Sequence, residues 1–544
     1  MANVFSIDYL IFLAVFLIVY GVVPTRAKRY VLLAGSVVYM AFASWVAALW
    51  ALVFAGVNFG LGICVARTSR PRAAMFMAVA VNAMAMVTFK LLDVGVLGLS
   101  YYLFSFMSYL VDIYRGAVRA EINGARFASF SFFFPKFTIG PITRYGELAD
   151  QLDKPKINAA AIQKGLERFC LGFILKVLVS DKLGIFFKDG EFWSLARIGY
   201  ESIGTDLAWL GVVVTSLHIF IDWQAYMYMV LGLAEMMGFH LPENFNYPYI
   251  ARTVGDYYRR WHMTLTRWFK DYIYIPLGGS RKGLPRTIVN VFLVWVVTSL
   301  WHGNGLAPKY MVWGLLCGAI VVLDAWLNDR ANARLGEEDG KTAKLLLHLP
   351  LLLLVPITWF FLREPADGFN FIVWGMSIGG MIVLERLWRT FVAERLRIGE
   401  RLGTETLGGK LWHGLVSVLA HVWVVIPMML TWLIFTLTEY GDVPVYFSRL
   451  FPAAGASAGA DPGDFARYWG NIWPYVIIGA VFCVPVLDWL TRLLERFSFG
   501  ETILRVTRSR LVAWIVSLVL AGLFWYAVYQ LIQTGSDPMG YAAF

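Results

Sequence analysis

The sequence predicts an all-α, polytopic integral membrane protein, on three observations. Of its 544 residues, 59% are hydrophobic and only 15% charged, with 16% aromatic and a mean hydropathy of +0.62. Ordinary soluble domains carry about 25% charged and about 45–50% apolar residues, so a soluble enzyme is excluded. The apolar residues also gather into long runs, and a hydrocarbon core about 30 Å thick takes roughly 20 residues of helix to cross. Finally, Lys and Arg punctuate those runs. The formal net charge of +10 therefore does not assemble the contiguous basic face that nucleic acid requires.

Candidate spans fall near 6–24, 30–44, 46–65, 73–95, 99–114, 165–187, 205–238, 286–302, 309–327, 345–362, 369–388, 414–437, 473–492 and 511–533. The first 24 residues lack a basic leader and an Ala-x-Ala-type cleavage site, which predicts a retained helix rather than a cleaved signal. No low-complexity linker divides the chain. We therefore expect one membrane-embedded domain over 1–544, with core motifs at about 100–320 and looser helices over 345–533. Orientation follows from the excess of Lys and Arg in cytoplasmic loops. Arg26, Lys28 and Arg29 follow the first span and Arg67, Arg70 and Arg72 the third. The same parity places Arg115, Arg119 and Arg126 and the basic stretch 250–287 inside, and both termini outside.

Two stretches are not plain spans. Residues 127–145 are apolar and aromatic but broken by Pro135, Gly140 and Pro141, and residues 245–283 mix Trp and Tyr with Arg and Pro. Irregular backbone at membrane depth is tolerated only where protein or a wet cavity covers it, so both read as re-entrant or interfacial. Cys64, Cys170, Cys317 and Cys483 lie far apart without metal-ligand spacing, which predicts neither a disulfide framework nor a metal site.

Two of the seven histidines stand out. His262 lies in RRWHMTLTRWFKDYIYIPLGGSRKG (259–283), where Trp261, Trp268, Tyr272 and Tyr274 alternate with Arg259, Arg260, Arg267, Lys270, Arg281 and Lys282. Basic and aromatic residues together anchor helices at headgroups; they would equally form a pocket in which cations grip the phosphates of an anionic cofactor beside the flexible Gly278–Gly279 turn. His302 ends the eighth span as Ser-Leu-Trp301-His302-Gly-Asn. An imidazole with a pKa of about 6.5 is suited to take a proton from a hydroxyl. No GxSxG elbow is present, since the two GxSxG matches fall inside the expected span 369–388 (375–379) and in the Ala/Gly run 453–460 (455–459); Walker and HExxH motifs are missing, which removes the usual support for a serine hydrolase, a P-loop ATPase or a zincin. Asp222 and Asp324, inside spans, fit proton relays, helix caps or partners of a nearby cation.

Several segments together resemble the membrane-bound O-acyltransferase family, within it the bacterial branch that contains the alginate O-acetylation membrane subunit. They are SFMSYLVDIYRG (105–116), FFPKFTIGPITRYGEL (133–148), MMGFHLPENFNYPY (236–249), the 259–283 segment, Asn290, and LWHG (300–303). The resemblance implies a ring of about 11–14 transmembrane and re-entrant helices around a tunnel, where a cytosolic acyl donor meets an acceptor from the opposite face. It makes His302 catalytic and His262 a second functional position, with Asn290 and Asp271 lining or bracing the same region and Trp261 and Trp301 beside the histidines. Where the alginate branch reads Asp-Phe-Ser-Gly-Tyr-Ser-Asp, this chain has Asp222, Trp223, Gln224, Ala225, Tyr226, Met227 and Tyr228, a bulkier stretch expected to reshape the tunnel wall at Asp222 and Tyr226.

The resemblance and the basic segment together predict acetyl transfer from acetyl-CoA, used as a substrate, for O-acetylation of an exported polysaccharide through a periplasmic SGNH-type partner. The expected location is the bacterial inner membrane. Two alternatives stay open: transfer of D-alanine from a small carrier protein, since Trp261-His262-Met263 also fits that branch, and a translocator without chemistry whose aromatics form a sugar track.

Overall fold

The computed structural model describes residues 6–91, 98–188, 194–279, 281, 286, 289–290, 293–294, 297, 406–437, 442–451, 461–497, 499–507 and 509–536. All regular structure among these residues is helical. In chain order the main helices are α1 (Ile7–Val22), α2 (Thr25–Ala43), α3 (Trp45–Arg67), α4 (Pro71–Leu91), α5 (Leu99–Tyr114), α6 (Gly124–Ser131), α7 (Tyr145–Asp153) and α8 (Ala159–Ile174). There follow α9 (Thr205–Met236), α10 (Val254–Arg260), α11 (Met263–Phe269), α12 (Leu407–Thr436), α13 (Asp464–Phe482), α14 (Val486–Leu494) and α15 (Arg510–Thr534).

Among the described residues, five helices are long and apolar enough to cross a membrane: Trp45–Arg67, Pro71–Phe89, Thr205–Met236, Ser417–Thr436 and Leu511–Thr534. The expected spans at 309–327, 345–362 and 369–388 lie outside the described residues, and so does most of 286–302. The run 473–492 is not one helix. It divides into α13 and α14, with Pro485 capping the second; a proline has no N–H to continue the first helix and biases the residue before it away from helical backbone.

The described residues form two compact units, Met1–Lys182 with Ile219–Asn244 and Pro485–Phe544, and Leu183–His218 with Phe245–Val484. In the first unit, α1 buries Leu13, Phe16 and Tyr20 and leaves Ile11, Val15, Ile18 and Val22 outward, a spacing that puts the exposed set on one helical face. On α15, Leu511, Trp514, Leu518 and Trp525 are likewise exposed, as a lipid-facing helix requires. α8 meets the 219–236 part of α9 at glycines. A Cβ on Gly165 would stand 2.5 Å from the Gly232 carbonyl oxygen, and one on Gly172 2.5 Å from that of Ala225. Small residues of this kind let helix backbones approach closely in a membrane.

Between α3 and α4, the buried amides of Asn58 and Asn82 bond reciprocally at 2.9 and 2.8 Å. Beyond α5 the chain turns on Glu121, whose buried carboxylate accepts from the Asn123 N–H at 2.7 Å, from Arg126 at 2.9 Å and from the Tyr145 hydroxyl. Arg126 also reaches Asp153 at 3.1 Å, and Arg29 of α2 meets the same Asp153 at 2.7 Å. Burial pushes the Glu121 carboxyl up, but the Tyr145 hydroxyl, the Asn123 N–H and the Arg126 guanidinium outweigh it and hold it below its ordinary value of 4.5.

Two outcomes are expected of unfolding measurements on the purified protein in detergent. Asn82→Leu leaves the Asn58 amide facing an apolar side chain and lowers stability by about 1–2 kcal/mol, while adding Asn58→Leu recovers most of the loss. Because the native Glu121 carboxyl titrates below its unfolded value, its contribution is fully present above about pH 4.5. That contribution disappears as pH falls through the lowered native value. Glu121→Gln therefore lowers stability at neutral pH and flattens the acid limb of the stability profile.

Candidate functional site

In the second unit the basic and aromatic segment is built from short helices rather than a span. Thr253 caps α10 by accepting the Asp256 N–H at 2.9 Å. At the other end of α10, Arg259 and Arg260 pair with the Asp256 carboxylate at 3.2 and 2.9 Å, cations at the terminus where the helix dipole favours them. Trp261 follows, buried. It stacks on Tyr257 with ring centroids 5.8 Å apart and an interplanar angle of 11°, and packs against Trp432 of α12 at 4.7 Å and edge-on to Phe245 at 5.0 Å. The Trp432 indole N–H donates to the Tyr257 hydroxyl at 2.9 Å. These rings make one rigid platform.

His262 leaves that platform in left-handed backbone, at φ 45° and ψ 53°, and caps α11. Among the described residues, Tyr247, at φ 46°, is the other non-glycine residue with positive φ. Each such position costs about 1–2 kcal/mol. The two are tied together nearby: the Asn246 N–H donates to the Arg260 carbonyl at 3.0 Å, and the Arg260 guanidinium returns a bond to the Asn246 carbonyl at 3.1 Å. Strain held in this way is a feature of functional sites, and here it turns a buried imidazole at a helix start.

After α11 the chain widens into a π turn, Lys270–Tyr274, that carries Asp271. It then closes a turn in which Gly278 and Gly279 have φ 110° and 56°. Their N–H groups donate to the Ile275 and Tyr274 carbonyls at 2.9 Å each. The turn therefore permits close approach, but its backbone donors are already used, and an anion there would meet side chains. Two residues further along grip the turn from outside: Arg286 donates to the Leu277 carbonyl at 2.8 Å, and buried Asn290 donates to that of Gly279 at 2.9 Å. Asn290 thus acts here as a brace.

Six of the expected residues follow one another along this stretch of chain. Arg259, whose side chain is 68% exposed, offers its charge to solvent with Lys270 and Arg281, whereas Arg260, Arg267 and Asp271 are half-buried. Lys282, Trp301 and His302 lie outside the described residues. Asp222 and Tyr226 belong to the first unit. Asp222, 1% exposed, accepts from Lys176 at 2.7 Å and from Ser180 at 3.0 Å, which is the paired-cation reading of that residue. Tyr226 shares a hydrogen bond with Thr138 of the broken segment. The bulk of Trp223, Ala225 and Met227 is buried in packing.

Sequence reasoning missed Lys176, Ser180 and Asp181. Lys176 and Ser180 sit on a second π turn, Leu175–Ser180, and Asp181 follows it directly; Lys176 also meets Asp181 at 2.9 Å. The available signal was the five-residue spacing of Lys176 and Asp181 inside an apolar run, which suits a π turn.

Apolar helices of spanning length, with cations and aromatics collected in a non-spanning segment, define an all-α multi-pass membrane protein. Residues 6–326 match the family model for the membrane-bound O-acyltransferase family. The chain is 33% identical over 352 residues to the probable alginate O-acetylase AlgI of Pseudomonas putida, an alignment covering 59% of this chain and 70% of that protein. It is 35% identical over 198 residues to the peptidoglycan O-acetyltransferase of Helicobacter pylori, covering 35% and 36% of the two chains. Against the teichoic acid D-alanyltransferase of Bacillus subtilis it is 27% identical over 232 residues, covering 41% and 57%. The chain belongs to the membrane-bound O-acyltransferase family and is an O-acyltransferase.

The brace at the glycine turn is open to test. Asn290→Leu leaves the buried Gly279 carbonyl without its donor and is expected to cost about 1–3 kcal/mol of stability. Limited proteolysis should then cut near residue 279 faster than in the unaltered protein, while the α3–α4 pairing stays intact.

Proposed function

We propose that the chain transfers an acetyl group from cytosolic acetyl-CoA for O-acetylation of an exported polysaccharide, delivering it on the periplasmic side to a partner of the SGNH type. The observation that carries this reading is the 245–290 stretch. A strained, buried His262 directly follows an aromatic platform, and exposed Arg259, Lys270 and Arg281 lie along the same stretch of chain as a braced glycine turn. Those cations suit the phosphates of coenzyme A. The likeness to proteins named as alginate and peptidoglycan O-acetylases supports acetyl over D-alanyl, because the alignment to the D-alanyltransferase is shorter and less identical than that to the alginate protein.

In the proposed step His302 takes the proton of the acceptor hydroxyl, whose oxygen attacks the thioester carbon. The carbon–sulfur bond breaks, and the coenzyme A thiolate leaves and is protonated. His262 is the candidate to polarise the thioester carbonyl and stabilise the oxyanion, while Asn290 keeps the turn in place. A positioned general base contributes about 10²- to 10⁴-fold.

The test uses labelled acetyl-CoA with membranes that contain the full-length protein. Label transfer is expected, and His302→Ala is expected to reduce it at least about 10²-fold with unchanged thermal unfolding. Transfer at the wild-type rate by that variant removes His302 from the chemistry. No transfer under any partner condition favours a translocator.

A further inference from the structure

The broken segment between α6 and α7 buries a lysine whose ammonium its surroundings do not pair. Lys136 closes the 3₁₀ turn Phe134–Lys136 and is 8% exposed, beside the buried Phe133, Phe134 and Phe137. Among the described residues no carboxylate lies within ion-pair distance of its ammonium. The acid whose field reaches it is Glu147, whose carboxylate is occupied 3.0 Å from the Arg144 N–H at the start of α7. What the ammonium does touch is the face of the Phe130 ring, 4.6 Å from its centroid.

The backbone that carries the lysine is closely packed. A Cβ on Gly140 would stand 2.3 Å from the Lys136 Cα, and one on Gly98 2.1 Å from the Phe137 carbonyl oxygen. Both glycines therefore let neighbouring backbone close on residues 136–137. Gly98 holds its place in left-handed backbone, at φ 70°.

An ammonium removed from water loses far more hydration than a ring face returns, and burial pulls the pKa of the Lys136 ammonium down to about 7. It becomes favourable when an anion joins it and the pair is neutral. A single positive charge among phenylalanine rings is neutralised by one negative charge, and a dianion would leave an excess. We propose that Lys136 is a binding site for a singly charged oxyanion, a carboxylate or a phosphodiester group that enters beside Phe130. This site is separate from the acyl-donor reading and does not depend on it.

The test follows thermal unfolding of the full-length protein in neutral detergent at constant ionic strength, with chloride replaced by acetate or by dimethyl phosphate. A parallel arm uses phosphatidylcholine discs with and without phosphatidylglycerol. At about ten times its Kd the accepted anion should raise the wild-type midpoint by about 2 °C. Lys136→Met should show no such rise and, without added anion, should unfold at the wild-type midpoint or above it, because a buried charge is gone. A response to dimethyl phosphate and phosphatidylglycerol identifies a lipid source; one to acetate alone identifies a carboxylate. The proposal is overturned if the two proteins respond equally, if the wild type responds to none of the probes, or if Lys136→Met unfolds below the wild type before any anion is added.

Discussion

Hydrocarbon offers no partner for a peptide group, so every backbone N–H and C=O at membrane depth must find one inside the chain. Helices meet this demand along their length and fail it at their ends, and the breaks are where this protein differs from a bundle of plain spans. Between α6 and α7 the N–H groups of Phe132, Lys136 and Phe137 donate to carbonyls three or four residues back, and that of Phe134 to the Ser36 hydroxyl of α2. The Phe134 ring fills the space among Phe12, Phe16 and Tyr39. An irregular segment is thereby made as self-sufficient as a helix, which lets it hold polar side chains where a span could not.

The second unit solves the same problem differently. Its irregular stretch rests on stacked rings: Tyr257, Trp261 and Trp432 supply a large rigid area with few rotatable bonds. On that base two non-glycine residues hold left-handed backbone, and the glycine turn is fixed by side chains that arrive from residues 286 and 290. Rigidity comes from packing, and polarity is displayed on it.

Hydropathy makes the helices legible because lipid and core both select apolar residues over a fixed length. The expected 6–24, 46–65 and 511–533 lie close to α1, α3 and α15. The edges are less legible. α2 begins at Thr25 rather than 30, because the charged turn Arg26 to Arg29 lowers hydropathy without harming the helix: Lys28 reaches back to the Tyr20 carbonyl and Arg29 out to Asp153. The bend at Pro485 was present in the sequence but outweighed by apolar neighbours on both sides. The residue types around His262 were readable as a constellation, yet its left-handed backbone was not, since nothing local to Trp-His-Met demands it. The strained residues flank a tie between Asn246 and Arg260, a contact between residues fourteen apart. Lys176 was hidden for a related reason: its partner Asp222 lies 46 residues away.

Both π turns, 175–180 and 270–274, contain one residue more than regular winding needs. In an ordinary α-helix each residue advances the rotation by about 100°, so loss of one residue swings everything downstream to another face. Within a π turn the same loss restores standard winding and leaves the helix continuous. Lys176 and Asp181 would then be four residues apart instead of five. These turns are thus places where the chain can shorten and keep its architecture while retiming which charges meet, a route by which relatives of one fold can drift towards different chemistry.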